Sequence, residues 1–198
     1  MTSSLIWNLN KELISSLHKE FPEAEVLYKT DSLWCKFLGF LIRIITFGQY
    51  KDWDKMSITV GYKIFLAERF DPVDYYDPDL YKLLRHERVH LLQYEKHPIW
   101  HTISYLLVLP LVWTERSKTE SEAYTQSVLA SIYVRILLNI NPEPAKEPIR
   151  EFLWEEFRGI DYLFMCPFRK KFNLWFEKVW AAGLIKENME NLNFMVRI

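Results

Sequence analysis

The chain has 198 residues, 49% of them hydrophobic, and a formal net charge of -1 at pH 7. That length and apolar content are enough to bury one substantial core, so we expect a single domain with added parts. The near-neutral charge excludes the basic surface needed to follow a phosphate backbone, and we expect no nucleic-acid partner.

The first half of the chain is predicted to combine helices with two strands. Apolar residues at helical spacing predict a helix over residues 8–21, and residues 24–29 are typical of a short strand. Residues 33–47 are apolar on nearly all sides, which predicts a buried helix that stops at Gly48. Residues 56–67 alternate between apolar and polar side chains and are the strongest strand prediction in the chain.

The second half is predicted to be helical. Asp77 followed by Pro78 is a strong helix start, and this helix should run to about residue 96. A further helix is expected over residues 119–139. Beyond residue 148, two more amphipathic segments predict helices that pack back on the body of the protein.

The predicted elements give an α+β fold that is mostly helical, with a small β-sheet. A run of polar residues and prolines over residues 141–148 indicates a stiff connector. We therefore divide the chain into a domain over residues 1–140, the connector, and a helical extension over residues 149–198.

Composition also bears on location and on membrane contact. Two cysteines cannot form a disulfide framework and residues 1–10 lack the pattern of a secretory signal, so we expect a cytoplasmic protein. The apolar stretches 33–47 and 99–113 are shorter than the ~20 residues that a spanning helix needs. Buried core helices are favoured for both. Membrane contact through an interfacial surface is the alternative, because the second stretch also holds two tryptophans and a tyrosine.

A metal-binding pattern lies in the helix that follows Asp77. His86, Glu87 and His90 form the motif HExxH. At about 100° per residue the two histidines are about 40° apart, so both imidazoles leave one helix face and can share a Zn²⁺ ion at ~2.0–2.1 Å. Glu87 is about 100° from His86, too far to be an easy ligand but close enough to reach a metal-bound water. Gln93 extends the same polar face, typical of a site wall.

Catalytic zinc needs a third protein ligand, and a later helix should supply it. The sequence Glu120-Ser121-Glu122-Ala123 opens the helix predicted at residue 119. If Thr119 caps this helix, Glu122 is used in a capping box and Glu120 is free to turn toward the metal. If Ser117 is the cap, the two glutamates exchange roles.

HExxH followed by a helix-borne Glu-x-Glu-Ala resembles the gluzincin branch of the zinc metallopeptidases. With Gln93 three residues after the second histidine, the chain is also similar to small bacterial and phage zincin-like domains. The resemblance covers residues 56–139 and implies a zincin-like core in which Glu120 is the third ligand. It also implies that the strand over residues 58–66 edges the cleft, where it can pair with an extended peptide. The chain departs from the family at Tyr124, where many gluzincins carry an aspartate that orients a histidine.

These observations predict a zinc metallopeptidase acting on a peptide or protein substrate. Zn²⁺ is expected to be held by His86, His90 and Glu120, with Glu87 as the general base. Such sites usually add one hydrogen-bond donor for the oxyanion. The chemically able candidates are Tyr105, His97, Tyr124 and Tyr162.

Two other functions are consistent with the same residues. One is a non-catalytic structural or interaction protein, such as a phage or virion component, in which zinc serves stability. Its signs would be a closed coordination sphere or a cleft filled by the chain after Pro148. The other is a membrane-docked protease that uses residues 99–113, and it is the least favoured.

Overall fold

The computed structural model describes residues 2–45, 53–70, 73–99, 113–159, 166 and 168–197. These residues are mostly helical and include a small mixed sheet, which confirms the predicted α+β class. The elements are α1 (Thr2–Glu20), β1 (Glu25–Tyr28), α2 (Leu33–Ile45), β2 (Ile58–Val60), β3 (Lys63–Leu66), α3 (Pro78–Lys96), α4 (Trp113–Leu137), α5 (Lys146–Arg158), α6 (Arg169–Gly183) and α7 (Lys186–Glu190).

The sheet lies between two layers of helices. Its middle strand, β3, is parallel to β1 and antiparallel to β2. One face carries Ile58 and Phe65 and packs on Trp53 and α2. The other face carries Ile64 and Leu66 and packs on α1 and α3. Both faces of the sheet are therefore covered by other elements.

The prediction of a single strand over residues 56–67 is wrong, because this segment folds back on itself as a hairpin. Gly61 has a φ of 63°, a left-handed conformation that glycine adopts without strain, and it lies in the tight turn between β2 and β3. Val60 pairs with Lys63 across this turn. As a result Phe65, and not Ile64, lies on the same face of the sheet as Ile58. The apolar and polar alternation of the sequence therefore does not describe one strand.

Helix α2 is buried on one side only. Cys35 and Gly39 are buried on the side that faces Trp53. A Cβ atom at Gly39 would lie 2.6 Å from the Trp53 ring, so only glycine lets the helix approach the indole this closely. The opposite side of α2 is exposed, and the prediction of a fully buried helix over residues 33–47 is wrong for that side.

Two sequence predictions fall outside the described residues. They are the stop at Gly48 and nearly all of the apolar stretch 99–113, of which residues 100–112 are not described. Among the helices that are described, none has the length and apolar character needed to cross a membrane.

Helices α3 and α4 pack side by side and position the candidate site. Asp77 caps α3 as predicted, since its side chain accepts a 2.7 Å hydrogen bond from the backbone N–H of Asp79. Helix α4 already begins at Trp113, before Ser117 and Thr119, so neither residue is its cap and both capping predictions are wrong. No glycine or proline interrupts residues 113–119, which allows the helix to start earlier.

Helices α5 and α6 pack against α4 through a cluster of buried aromatic residues. Phe157 and Trp175 lie at the centre of this cluster, next to Tyr124 and Val128 of α4. Helix α5 starts inside the predicted connector. It can do so because Pro148 falls in the first turn, where its missing N–H would have no partner within the helix.

The segment over residues 189–197 lies across α3 and α4. Buried side chains of these two helices donate hydrogen bonds to its backbone carbonyl groups: Arg85 to Met189 (2.7 Å), Arg88 to Leu192 (2.8 Å) and Gln126 to Phe194 (2.7 Å). Because each bond satisfies a buried polar group, the segment fixes the two helices relative to each other.

Candidate metal centre

Three predicted ligand side chains meet between α3 and α4. The Nε2 atoms of His86 and His90 are 3.1 Å apart, and each lies 3.6 Å from Oε2 of Glu120. The centre of this triangle is about 2.0 Å from all three atoms, close to the metal–ligand distances of protein zinc sites. Two imidazoles and one carboxylate are also a known donor set of catalytic zinc. The residues therefore fit a Zn²⁺ ion in both distance and chemistry.

His90 is oriented through its other ring nitrogen. Its Nδ1 lies 2.9 Å from Oε1 of Gln93. The Gln93 amide has a defined orientation, because its Nε2 donates to the carbonyl of Thr119 (3.0 Å) and to Oε2 of Glu122 (2.9 Å). An amide oxygen only accepts hydrogen bonds, so Nδ1 of His90 is the donor. This leaves Nε2 as the nitrogen available to a metal.

His86 is held from α4. Its Nδ1 lies 3.2 Å from the hydroxyl oxygen of Ser127, and its ring packs edge-on against Tyr124 with 4.7 Å between ring centroids. Gln93 therefore contacts Nδ1 of His90, Ser127 contacts Nδ1 of His86, and Tyr124 forms a wall beside His86.

The two glutamates of the Glu-x-Glu-Ala sequence have different partners. Glu120 faces the imidazoles, whereas Oε1 of Glu122 is paired with Nε of Arg197. The other oxygen of Glu122 accepts the hydrogen bond from Gln93. Of the two candidates for the third ligand, Glu120 is the one that the structure brings to the histidines.

Burial and charge act in opposite directions on the ligands. Burial raises the pKa of Glu120, but the charge of His90 and hydrogen bonds from both imidazoles outweigh it and hold this pKa well below its usual range. Burial lowers the pKa of His90, but the charge and hydrogen bond of Glu120, helped by Glu87, raise it to about 9. Without a cation the two groups therefore form an ion pair at neutral pH. A metal bound at Nε2 takes the place of the proton there.

Glu87 lies next to the ligands and is itself buried. Its Oε2 accepts a 2.7 Å hydrogen bond from the hydroxyl of Thr59, a buried residue at the centre of β2. An edge strand of the described sheet therefore orients the carboxylate that the sequence predicts as the base. The motif could not indicate Thr59, because nothing in the sequence relates β2 to α3.

A cavity of about 420 Å³ opens beside His86 and Glu87. Tyr124 and Ser127 of α4 and Phe152 of α5 also line it. A volume of this size lies within the range of small-molecule and peptide side-chain sites. Residues within 149–153 line this cavity, and among the described residues after Pro148 none fills it.

The four candidate oxyanion donors are placed differently. Tyr124 lines the cavity beside His86. His97 is exposed where α3 ends, about 10 Å along the helix axis from His90. Tyr105 and Tyr162 lie outside the described residues. Tyr124 is therefore the candidate that the described chain places at the site.

Sequence reasoning missed the residues that support the ligands. Gln93 was found only as part of a polar helix face, and its bond to His90 follows from the i, i+3 spacing on α3. Thr59, Ser127 and Arg197 carried no signal, since each comes from a distant part of the chain.

Comparisons with known protein families, with curated protein sequences and with solved structures give no match.

Proposed function

We propose that this protein is a zinc-dependent hydrolase of peptide bonds. The observation that carries the proposal is the convergence of His86, His90 and Glu120 at distances that suit one Zn²⁺ ion. The Glu87 carboxylate lies next to these ligands, and an open cavity is lined by Glu87 and His86. The three ligands found among the described residues leave the fourth position of a tetrahedral ion for water or substrate, as catalytic zinc requires.

The chain's own residues supply positioning and proton transfer in this proposal. Bound zinc supplies Lewis acidity, which polarises a scissile carbonyl group and makes water more acidic. Thr59 holds Oε2 of Glu87, so Oε1 is the oxygen that takes a proton from the attacking water and passes it to the leaving amine. Tyr124 is our candidate for the hydrogen bond to the oxyanion, since it lines the same cavity.

The open cavity favours the hydrolase over a purely structural zinc site. A structural site is expected to have four protein ligands and no space for a substrate. Among the described residues after Pro148, Phe152 forms a wall of the cavity and none fills the space beside Glu87. The zincin-like core and the gluzincin relationship are part of the proposal and rest on the motif and on this site.

Zinc analysis combined with one conservative variant tests the proposal. We expect about one zinc per chain in the purified protein and none in His90→Ala. Glu87→Gln should keep the zinc and lose hydrolysis of a mixture of quenched fluorescent peptides by about 10²- to 10⁴-fold. Glu95→Gln is the matched control, because it makes the same change at an exposed position of the same helix.

Three results would contradict the proposal, each in a different part. If the purified protein neither contained nor bound zinc, the proposed metal site would be refuted. Full peptide turnover in Glu87→Gln would refute the role of Glu87 as the general base. Zinc binding without any peptide turnover in the wild-type chain would instead support the structural alternative.

A further inference from the structure

The exposed side of α2 carries a continuous apolar stripe. Leu33, Phe37, Phe40 and Ile44 follow the i, i+4, i+7, i+11 spacing that places residues on one helix face. Their exposed fractions are 81%, 59%, 60% and 55%. At about 100° per residue, all four lie within about 60° around the helix axis. The stripe points away from the side that packs on Trp53.

This exposure is specific to α2. Among the helix residues whose side chains are described, each of the other helices presents at most one large exposed apolar side chain, whereas α2 presents five when Trp34 is included. Single exposed apolar residues are common on protein surfaces, but a contiguous patch usually marks a binding surface.

The charges beside the stripe indicate what binds it. Lys36 and Arg43 are exposed, and on a helical wheel both lie along one edge of the stripe, about 60° to 80° from Leu33. Trp34 lies on the other edge. No acidic residue occurs in α2. Apolar side chains bordered by cations and a tryptophan are typical of helices that lie in the headgroup region of a membrane.

We propose that α2 is a docking surface for a membrane that contains anionic lipids. The helix lies parallel to the bilayer, with Phe37 and Phe40 entering the boundary between headgroups and acyl chains. Lys36 and Arg43 contact the lipid phosphates. Thirteen residues form a helix of about 20 Å, too short to span the ~30 Å hydrocarbon core but suited to lying in the interface.

Vesicle flotation tests the proposal directly and does not depend on zinc or on peptidase activity. The full chain is mixed with vesicles of phosphatidylcholine alone or with 30% phosphatidylserine. We expect the protein to float with the anionic vesicles and to bind the neutral ones at least about tenfold less well. The double variant Phe37→Ser with Phe40→Ser should lose at least about tenfold in binding to the anionic vesicles.

Two further variants separate docking from loss of folding. Leu174→Ser removes an exposed apolar residue of α6 and serves as the matched control, so its flotation should equal that of the wild type. Lys36→Glu should weaken binding to the anionic vesicles by several-fold and leave binding to neutral vesicles unchanged. Circular dichroism confirms that each variant is folded.

Three outcomes would overturn the proposal. The wild-type chain does not float with either vesicle type. The control Leu174→Ser loses as much binding as the double phenylalanine variant. The wild type forms dimers that the double variant lacks, without any vesicle binding, which would assign the stripe to a second copy of the chain.

Discussion

Replacing Gln93 by methionine should weaken zinc binding, although Gln93 is not one of the three proposed ligands. The side chain lies between His90 and Glu122, with hydrogen bonds of 2.9 Å on both sides. Methionine occupies a similar volume but cannot accept the hydrogen bond from Nδ1 of His90. The imidazole then loses the contact that directs Nε2 toward the metal.

The expected magnitude follows from the position of Gln93 behind one ligand. Removing a partner of this kind typically lowers metal affinity by about 10- to 100-fold, equivalent to about 1.4–2.8 kcal/mol. Ser127→Ala acts on His86 in the same way, but through a longer 3.2 Å contact, and should cost less than Gln93→Met. Ser131→Ala is the matched control, because its hydroxyl bonds the carbonyl of Ser127 and lines the same cavity.

Competition with a fluorescent zinc chelator at fixed pH measures these affinities. Wild type and Ser131→Ala should bind equally, Ser127→Ala more weakly and Gln93→Met most weakly. If Gln93→Met bound zinc as tightly as the wild type while the wild type bound it well, the role given to Gln93 would be refuted and the metal site would stand. A wild type without zinc affinity would refute the site itself.

The remaining predictions concern the base, the thiols and the packing of α2. Thr59→Val should reduce peptide turnover by about tenfold or more and leave zinc content unchanged, measured on the same samples. Burial raises the pKa of Cys35 and of Cys166, so neither thiol should react with a disulfide reagent at pH 7–8 until denaturant is added. This burial favours the folded state below the pKa of the unfolded thiols, and the effect is lost as pH rises through their raised pKa values. Gly39→Ala should lower the free energy of unfolding in urea by about 1–3 kcal/mol, because the new methyl group overlaps Trp53.

Parts of the fold that depend on neighbouring residues were predictable from the sequence. Asp77 and Pro78 mark the start of α3 because a cap and a proline act within one helical turn. The hairpin of β2 and β3 was not predictable by alternation, since Gly61 reverses the chain without disturbing the apolar pattern. The exposed stripe of α2 was missed for a related reason. A mostly apolar sequence indicates that a helix avoids water on some side, but it does not show which side other elements cover.

The candidate site, like the fold, was predictable only where neighbouring residues determine it. The spacing of His86 and His90 fixes their relation on one helix, and the structure brings their Nε2 atoms together. Capping leaves Glu120 and Glu122 both open, and the preference for Glu120 rests on the family resemblance. In the structure α4 has no cap at either predicted residue. Glu122 is instead paired with Arg197, more than seventy positions away in the chain. A long-range ion pair of that kind has no signature in the local sequence. The metal itself stays a prediction.

A buried histidine–glutamate ion pair also occurs in proteins that bind no metal, and the number of imidazoles weighs against that explanation here. One histidine is enough to neutralise Glu120, and burying a second imidazole in contact with the first adds a desolvation cost. Two Nε2 atoms 3.1 Å apart can share at most one proton comfortably, since two protonated rings would repel each other. Gln93 and Ser127 nevertheless hold both rings so that these nitrogens face the same oxygen of Glu120. A divalent cation held by His86, His90 and Glu120 would accept both lone pairs and the carboxylate charge at once, and it would offset the cost that an ion pair leaves uncompensated.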